Sequence, residues 1–194
     1  MIAASVKVLR GERQMQKRIA MVAGFSLAFT FLAMQASGQQ DKSKRPSPPA
    51  TASCALPDGK TLTVDYSSPR AKGRKVYGEL VPFGKVWRAG ANEATTFVTT
   101  TDLKVGGKDV PAGSYTIFVI PEQDKWTLIV SKKTGEWGLA YAGPGEDLAR
   151  IDMKVSKLPS SLENFTIGFD KEGGGCSLRM DWETTRASVE VSKK

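Results

Sequence analysis

Cys176-Ser-Leu-Arg-Met-Asp-Trp182 decides how the chain reads. Cys176, Leu178, Met180 and Trp182 fall on one side of a two-residue repeat, and Ser177, Arg179 and Asp181 on the other. Successive strand side chains point to opposite faces, so this pattern predicts a strand with one buried face. A helix would need apolar residues three and four apart instead. The same period runs through Thr61-Leu-Thr-Val-Asp-Tyr66 and Arg150-Ile-Asp-Met-Lys-Val155. Ser114-Tyr-Thr-Ile-Phe-Val-Ile120 and Trp126-Thr-Leu-Ile-Val130 are apolar on both sides, as central strands are. Phe165-Thr-Ile-Gly-Phe169 reads as another strand, and the β-branched run Thr95-Thr-Phe-Val-Thr-Thr100 suits a pleated surface.

Turn signals separate these runs. Val105-Gly-Gly-Lys108 predicts a two-residue hairpin turn, because both glycines accept positive φ. Val110-Pro-Ala-Gly113 fits a type I turn with Pro111 presetting φ. Pro121–Lys125 and Glu172-Gly-Gly-Gly175 are further connections, and the one hint of helix is a turn near Gly145-Glu-Asp-Leu148. Many short strands with regular turns predict a single antiparallel β-sandwich or jelly-roll-like domain over residues 55–194. Val64, Ile117, Phe118, Leu128, Ile129, Ile167, Leu178 and Trp182 are its expected core.

Residues 1–38 read as an address. Lys17 and Arg18 precede the apolar run Ile19–Met34, and Ala36-Ser37-Gly38 follows it. A basic head, an apolar middle and a small-x-small end are the parts of a secretory signal peptide. The run is 16 residues, short of the roughly 20 that span a bilayer. The stretch before Lys17 is long for such a head, which points to Met15 as the true start. The expectation is a periplasmic or secreted protein with no membrane span after cleavage. Residues 39–54 hold no large apolar side chain and read as a flexible linker.

Several kinds of chemistry are excluded. With no His among 194 residues, there is no Ser-His-Asp triad and no His-ligated metal. Two Cys are too few for a structural zinc site. No cofactor and no metal is implied. The net charge of +8 lies mostly in the first 54 residues, and residues 55–194 carry only +2. The pI near 9.5 is therefore no sign of nucleic-acid binding.

Polar chemistry concentrates in residues 67–95. Arg70, Lys72, Arg74, Lys75, Lys85 and Arg88 fall within nineteen positions, with Glu79 and Glu93 nearby. Ser68-Pro-Arg-x-Lys-Gly-Arg74, Leu80-Val-Pro-Phe-Gly-Lys-Val-Trp-Arg-x-Gly-Ala-Asn-Glu-Ala-Thr95 and Pro111-Ala-Gly-x-Tyr115 resemble the bacterial envelope family catalogued as domain of unknown function 2911. The resemblance runs from about Pro57 to Val191. It implies a secreted or periplasmic β protein and carries no reaction with it.

Arg70, Lys72, Arg74, Trp87, Arg88, Asn92 and Glu93 are the candidate ligand-binding residues. An arginine fork grips a carboxylate or phosphate, and a tryptophan face stacks on a sugar or aromatic ring. The same groups also suit ion pairs that pin a loop, Trp87 suits a core, and Asn92 suits a turn. The favoured reading is a non-catalytic binding module for a small anionic or glycan ligand, or for an envelope partner. A structural or adaptor domain without a ligand is the alternative. Less favoured is a hydrolase using a carboxylate pair among Asp65, Glu79, Glu93 and Asp181, or Ser67 or Ser68 with Lys72 or Lys75.

Cys54 and Cys176 are candidates for a disulfide, because an exported chain meets oxidising conditions and first and last strands are often neighbours. Both also suit buried thiols.

Overall fold

The computed structural model describes residues 41–194, and the segment read as a signal peptide lies outside them. Nine strands follow one another: β1 Pro49–Ala55, β2 Thr61–Ser67, β3 Thr95–Thr99, β4 Leu103–Val105, β5 Lys108–Val110, β6 Gly113–Pro121, β7 Lys125–Ser131, β8 Asp147–Glu172 and β9 Gly175–Lys193. They form one antiparallel sheet in the order β1-β2-β3-β6-β7-β8-β9-β4-β5. After β3 the chain crosses to the far end of the sheet, where β4 pairs with β9. It turns through β5 and returns to lay β6 beside β3. Gly106 and Gly107 make the β4–β5 turn at φ 52° and 79°, the left-handed pair that a two-residue hairpin requires.

The sheet curls over on itself. Register shifts at Lys157/Leu162 and Leu162/Thr166 interrupt the β8–β9 ladder, and such bulges bend a strand and increase its twist. The stretches 150–155 and 165–169, read as two strands, are therefore two parts of β8. Curling brings β2 opposite β8. The Tyr66 hydroxyl donates to the Ile167 carbonyl at 3.4 Å and accepts from the Ile167 N–H at 3.1 Å. Lys193 of β9 reaches Asp58 of the β1–β2 turn at 2.6 Å. Cys54 of β1 and Cys176 of β9 are joined as a disulfide, with Cα atoms 6.7 Å apart and a sequence separation of 122. On the chain-entropy account a loop of that length stabilises by about 5 kcal/mol, less any native strain.

The concave side holds the core. Val64, Ile117, Leu128, Ile167, Leu178 and Trp182 all lie in one buried cluster, as the alternation predicts. Trp87, Trp126, Trp182, Phe165, Tyr66 and Tyr77 form its aromatic centre. Trp87 stacks on Trp182 at 5.9 Å and meets Phe165 edge-on at 4.9 Å. Trp182 anchors its indole N–H on the Glu163 carbonyl at 3.0 Å, as a buried indole must. The fold is all-β, and the curled sheet is consistent with a sandwich.

The described part of the segment read as a linker, residues 41–54, differs from that reading. Lys42–Lys44 is a short 3-10 turn, and Pro49–Ala55 is the edge strand β1, registered along the whole of β2. Ala50 and Ala52 pack against the core. Their small side chains carry little apolar signal, so composition hides the strand.

Candidate functional site

Residues 67–95 connect β2 to β3, and their arginines serve mainly to hold that connection. Arg70 donates through Nη1 to the carbonyl and hydroxyl of Ser68 at 2.8 and 2.7 Å. Arg74 donates to the carbonyls of Ala71 and Arg70 at 2.9 and 2.8 Å. Lys72 sits at φ 51° beside Gly73 at a turn, and its backbone N–H binds Glu163 at 2.8 Å. The backbone at Pro69 and Ala71 bonds across to Phe165 and Glu163. Gly90 packs against β2: a Cβ there would meet the Ser67 carbonyl oxygen at 3.0 Å.

Asn92 and Glu93 are also engaged. Asn92 adopts φ 56° and donates from Nδ2 to the Ser47 carbonyl at 3.0 Å. Glu93 takes both oxygens of its carboxylate to Arg45, at 2.9 and 3.0 Å, and one to Lys42 at 3.0 Å. Burial alone would push this carboxyl up. Its own backbone N–H, Arg45 and Lys42 outweigh that and hold it at about 2. The segment read as a linker thus clamps the turn at 92–93.

Trp87 and Arg88 part company. Trp87 exchanges both backbone hydrogen bonds with Val119 at 2.8 Å, filling the place beside β6 that β3 leaves. Its ring faces the core and is 8% exposed. Alternation sends Val86 and Arg88 to the convex side, where the register sets Arg88 opposite Phe118. There a second small cluster forms from Ala94, Phe118 and Ile129, with Val86, Ile120 and Tyr141 partly buried against it. Two-sided apolarity in β6 and β7 is the sequence signal for this cluster.

The connection 132–146 borders that cluster as a flap. Ala94 N–H donates to the Glu136 carbonyl, and Gly138 N–H to the Asn92 carbonyl, each at 3.1 Å. Tyr141 sets its ring edge-on to Phe118 at 5.2 Å, and its hydroxyl donates to Asp147 at 2.8 Å. Arg150 donates to that hydroxyl at 2.8 Å and to Asp147 at 2.7 Å. Trp137 and Leu139, 60% and 66% exposed, stand on the flap as the most exposed large apolar residues described.

Within this setting Arg88 is the exception among the loop arginines. Its Nε is enclosed and has no acceptor, and no carboxylate pairs with it among the described residues. Burial lowers its pKa, with no anion to oppose the shift. On the convex face of β8 and β9 the opposite holds. Asp181, 1% exposed, receives Arg179 and a two-pronged grip from Arg186 at 2.7 Å, and Asp170 adds a second carboxylate.

A family model described as protein of unknown function (DUF2911) matches residues 47–191. The chain belongs to this family. No curated protein and no solved structure matches it. The DUF2911 match begins just before β1, so the edge strand is part of the family's domain.

The acids and serines weighed for catalysis are dispersed. Asp65 accepts from Thr51 on β1, Glu79 pairs with Lys75, and Glu93 and Asp181 are clamped by arginines. Ser68 is buried with its hydroxyl on the Phe165 carbonyl at 2.6 Å. Among the described residues no group of three or more carboxylates or thiols is placed to hold a metal ion, and no helix is long and apolar enough to cross a membrane.

Proposed function

We propose that this DUF2911 domain is an exported, non-catalytic binding module of the periplasm or the secreted fraction. Its ligand, a small anion, a glycan or an envelope partner, docks on the convex face of β6 and β7 beside Arg88. One observation carries the reading: Arg88 is half-buried opposite Phe118, its Nε enclosed and without a partner among the described residues. An enclosed guanidinium N–H without an acceptor lacks the compensation that buried donors normally have. An incoming acceptor supplies it. Arg70, Lys72, Arg74, Asn92 and Glu93 then act as the scaffold that carries Arg88 rather than as ligand contacts. Export rests on the basic, apolar and small-residue order of residues 17–38, and mass spectrometry of the processed protein tests it. An intact apolar run in that product overturns the signal peptide.

A thermal-shift screen on the processed chain tests binding, since a ligand raises apparent stability by mass action. Ligands that raise Tm in the wild type and not in Arg88→Ala are the expected result. A structural or adaptor domain is the second reading, favoured by the many loop hydrogen bonds from Arg70 and Arg74. It predicts no such ligand, and a lower Tm for Arg88→Ala with nothing bound.

A further inference from the structure

We propose that the flap between β7 and β8 docks this domain on an anionic lipid surface. Trp137 and Leu139 enter the interfacial layer, and Lys132, Lys133 and Lys42 meet the headgroups. The contact is peripheral and independent of any ligand at Arg88.

The tip of the flap supplies the apolar part. Residues 137–145, Trp-Gly-Leu-Ala-Tyr-Ala-Gly-Pro-Gly, carry no charge. Trp137 and Leu139 are 60% and 66% exposed there, and their exposure is built in. The Ala94 N–H donates to the Glu136 carbonyl and the Gly138 N–H to the Asn92 carbonyl, so the backbone is pinned on both sides of Trp137. Gly138 then turns at φ 65°, and the Ala140 N–H closes back on the Trp137 carbonyl at 3.2 Å. Tyr141 folds inward onto Phe118, which leaves Trp137 and Leu139 outside.

Charge supplies the rest. Lys132, Lys133 and Arg150 formally balance Glu136, Glu146 and Asp147, but the cations are outermost. Lys132 and Lys133 are exposed, whereas Glu136 and Glu146 are half-buried. The Arg150 side chain is 42% exposed and that of its partner Asp147 only 8%. Lys42 reaches Glu93 at 3.0 Å and is the more exposed of the two, and Glu93 is bridged to Trp137. An uncharged tip with Trp and Leu inside a rim of lysines suits a lipid interface. Trp rings settle at headgroup level, and lysines near an anionic surface add attraction.

Other occupants fit less well. A stable protein contact buries about 800 Å² on each partner, more than two side chains provide. A sugar needs hydrogen bonds, and the one polar side chain of 137–145, Tyr141, is held by Asp147. A lipid layer asks for neither. Chain reach agrees with this choice. Only residues 35–40 separate the apolar run ending at Met34 from Asp41, a stretch of at most about 25 Å when extended. A chain held at that run during export keeps Lys42 within that reach of lipid.

The test uses the processed chain with vesicles of phosphatidylcholine, alone or mixed with phosphatidylglycerol. Binding is read by co-sedimentation, and contact by quenching of tryptophan emission with brominated lipid. Trp87, Trp126 and Trp182 are buried in the core, so this quenching reports Trp137. The mixed vesicles should bind more tightly than phosphatidylcholine alone and quench the emission. Trp137→Ala with Leu139→Ser should weaken binding by about tenfold or more, with Tm unchanged. Lys132→Glu with Lys133→Glu should remove the preference for phosphatidylglycerol.

No binding to either vesicle would overturn the proposal. Binding that survives Trp137→Ala with Leu139→Ser would place the contact elsewhere and overturn the flap as its site. Self-association that is lost in that variant, without vesicle binding, would replace the lipid surface with a second copy of this chain.

Discussion

Two arginine environments on the convex face of one sheet separate structure from function here. Around Asp181, two guanidinium groups and two carboxylates satisfy each other in a closed network. At Arg88, the same side-chain chemistry meets Phe118 and, among the described residues, no acid. Strand register makes the difference. β9 places Arg179 and Asp181 two residues apart on one face and lays Asp170 of β8 alongside, whereas β6 sets Phe118 opposite Arg88, with Thr116 and Ile120 on the same face. An arginine is thus informative when its partners are missing, more than when arginines are many.

Breaking the closed network should have the largest effect. Asp181→Ala takes the buried carboxylate from two partly buried cations and leaves them Asp170 alone, and the expected loss is about 3–5 kcal/mol in denaturant unfolding. Trp182→Ala, on the core side of the same strand, should lose a similar amount, about 3–5 kcal/mol, by leaving a cavity. If Asp181→Ala unfolds like wild type, the network is surface decoration and the contrast collapses.

The Arg88 side of the comparison predicts the reverse sign. Arg88→Met removes an enclosed donor that has no acceptor, a defect worth about 1–3 kcal/mol in general, and keeps an apolar stem. The variant should be equal to wild type or up to about 1 kcal/mol more stable with no ligand present. A clear loss in unliganded Tm would show that Arg88 holds the loop as Arg70 and Arg74 do. On the flap, Trp137→Ala should fall within about 0.5 kcal/mol of wild type, because its ring is mostly in water.

The smallest effect is a pH dependence at the clamp. Glu93 in the folded protein sits at about 2, against 4.5 for a free glutamate. Its contribution is present above pH 4.5 and is lost as pH falls through about 2. The Tm gap between wild type and Glu93→Gln should be steady above pH 5 and close towards pH 2. Partial exposure keeps it small. A gap that widens on acidification would reverse the assigned direction.

The strands were legible because one face of each is buried, and a period of two records that directly. Cys176–Trp182 and Thr61–Tyr66 read correctly for this reason. The hairpin at Gly106-Gly107 was legible because its backbone demands positive φ. Three features were not. β1 consists of small residues, so its burial leaves little trace in composition. β8 reads as two strands because its bulges interrupt the period. Residues 86–88 resemble an irregular loop, yet they form a rung beside β6 whose alternation sends Trp87 and Arg88 to opposite faces. Read as neighbours in one pocket, they belong to two sides of a sheet. Linear spacing marks the basic density of 67–95 but not which cation lacks a partner, since Glu93 is met by Arg45 and Lys42 from 48 and 51 positions away.

The disulfide between β1 and β9 has a mechanical consequence. A load applied at the N-terminal side of the domain first meets the Arg45–Glu93 clamp and then peels β1 from β2, rung by rung, from Pro49↔Ser67 inward. Such a peel breaks hydrogen bonds one pair at a time and offers little resistance. It stops at Cys54, where the covalent link passes the tension to Cys176, at the start of the long β9. Beyond that point the force no longer unzips an edge. It pulls on a strand paired with β8 from Gly175 to Ser188 and with β4 from Val191 to Lys193, which must shear as a unit. The bond therefore turns a peelable margin into a fixed anchor, and the aromatic core behind it is shielded from whatever the tail is tied to.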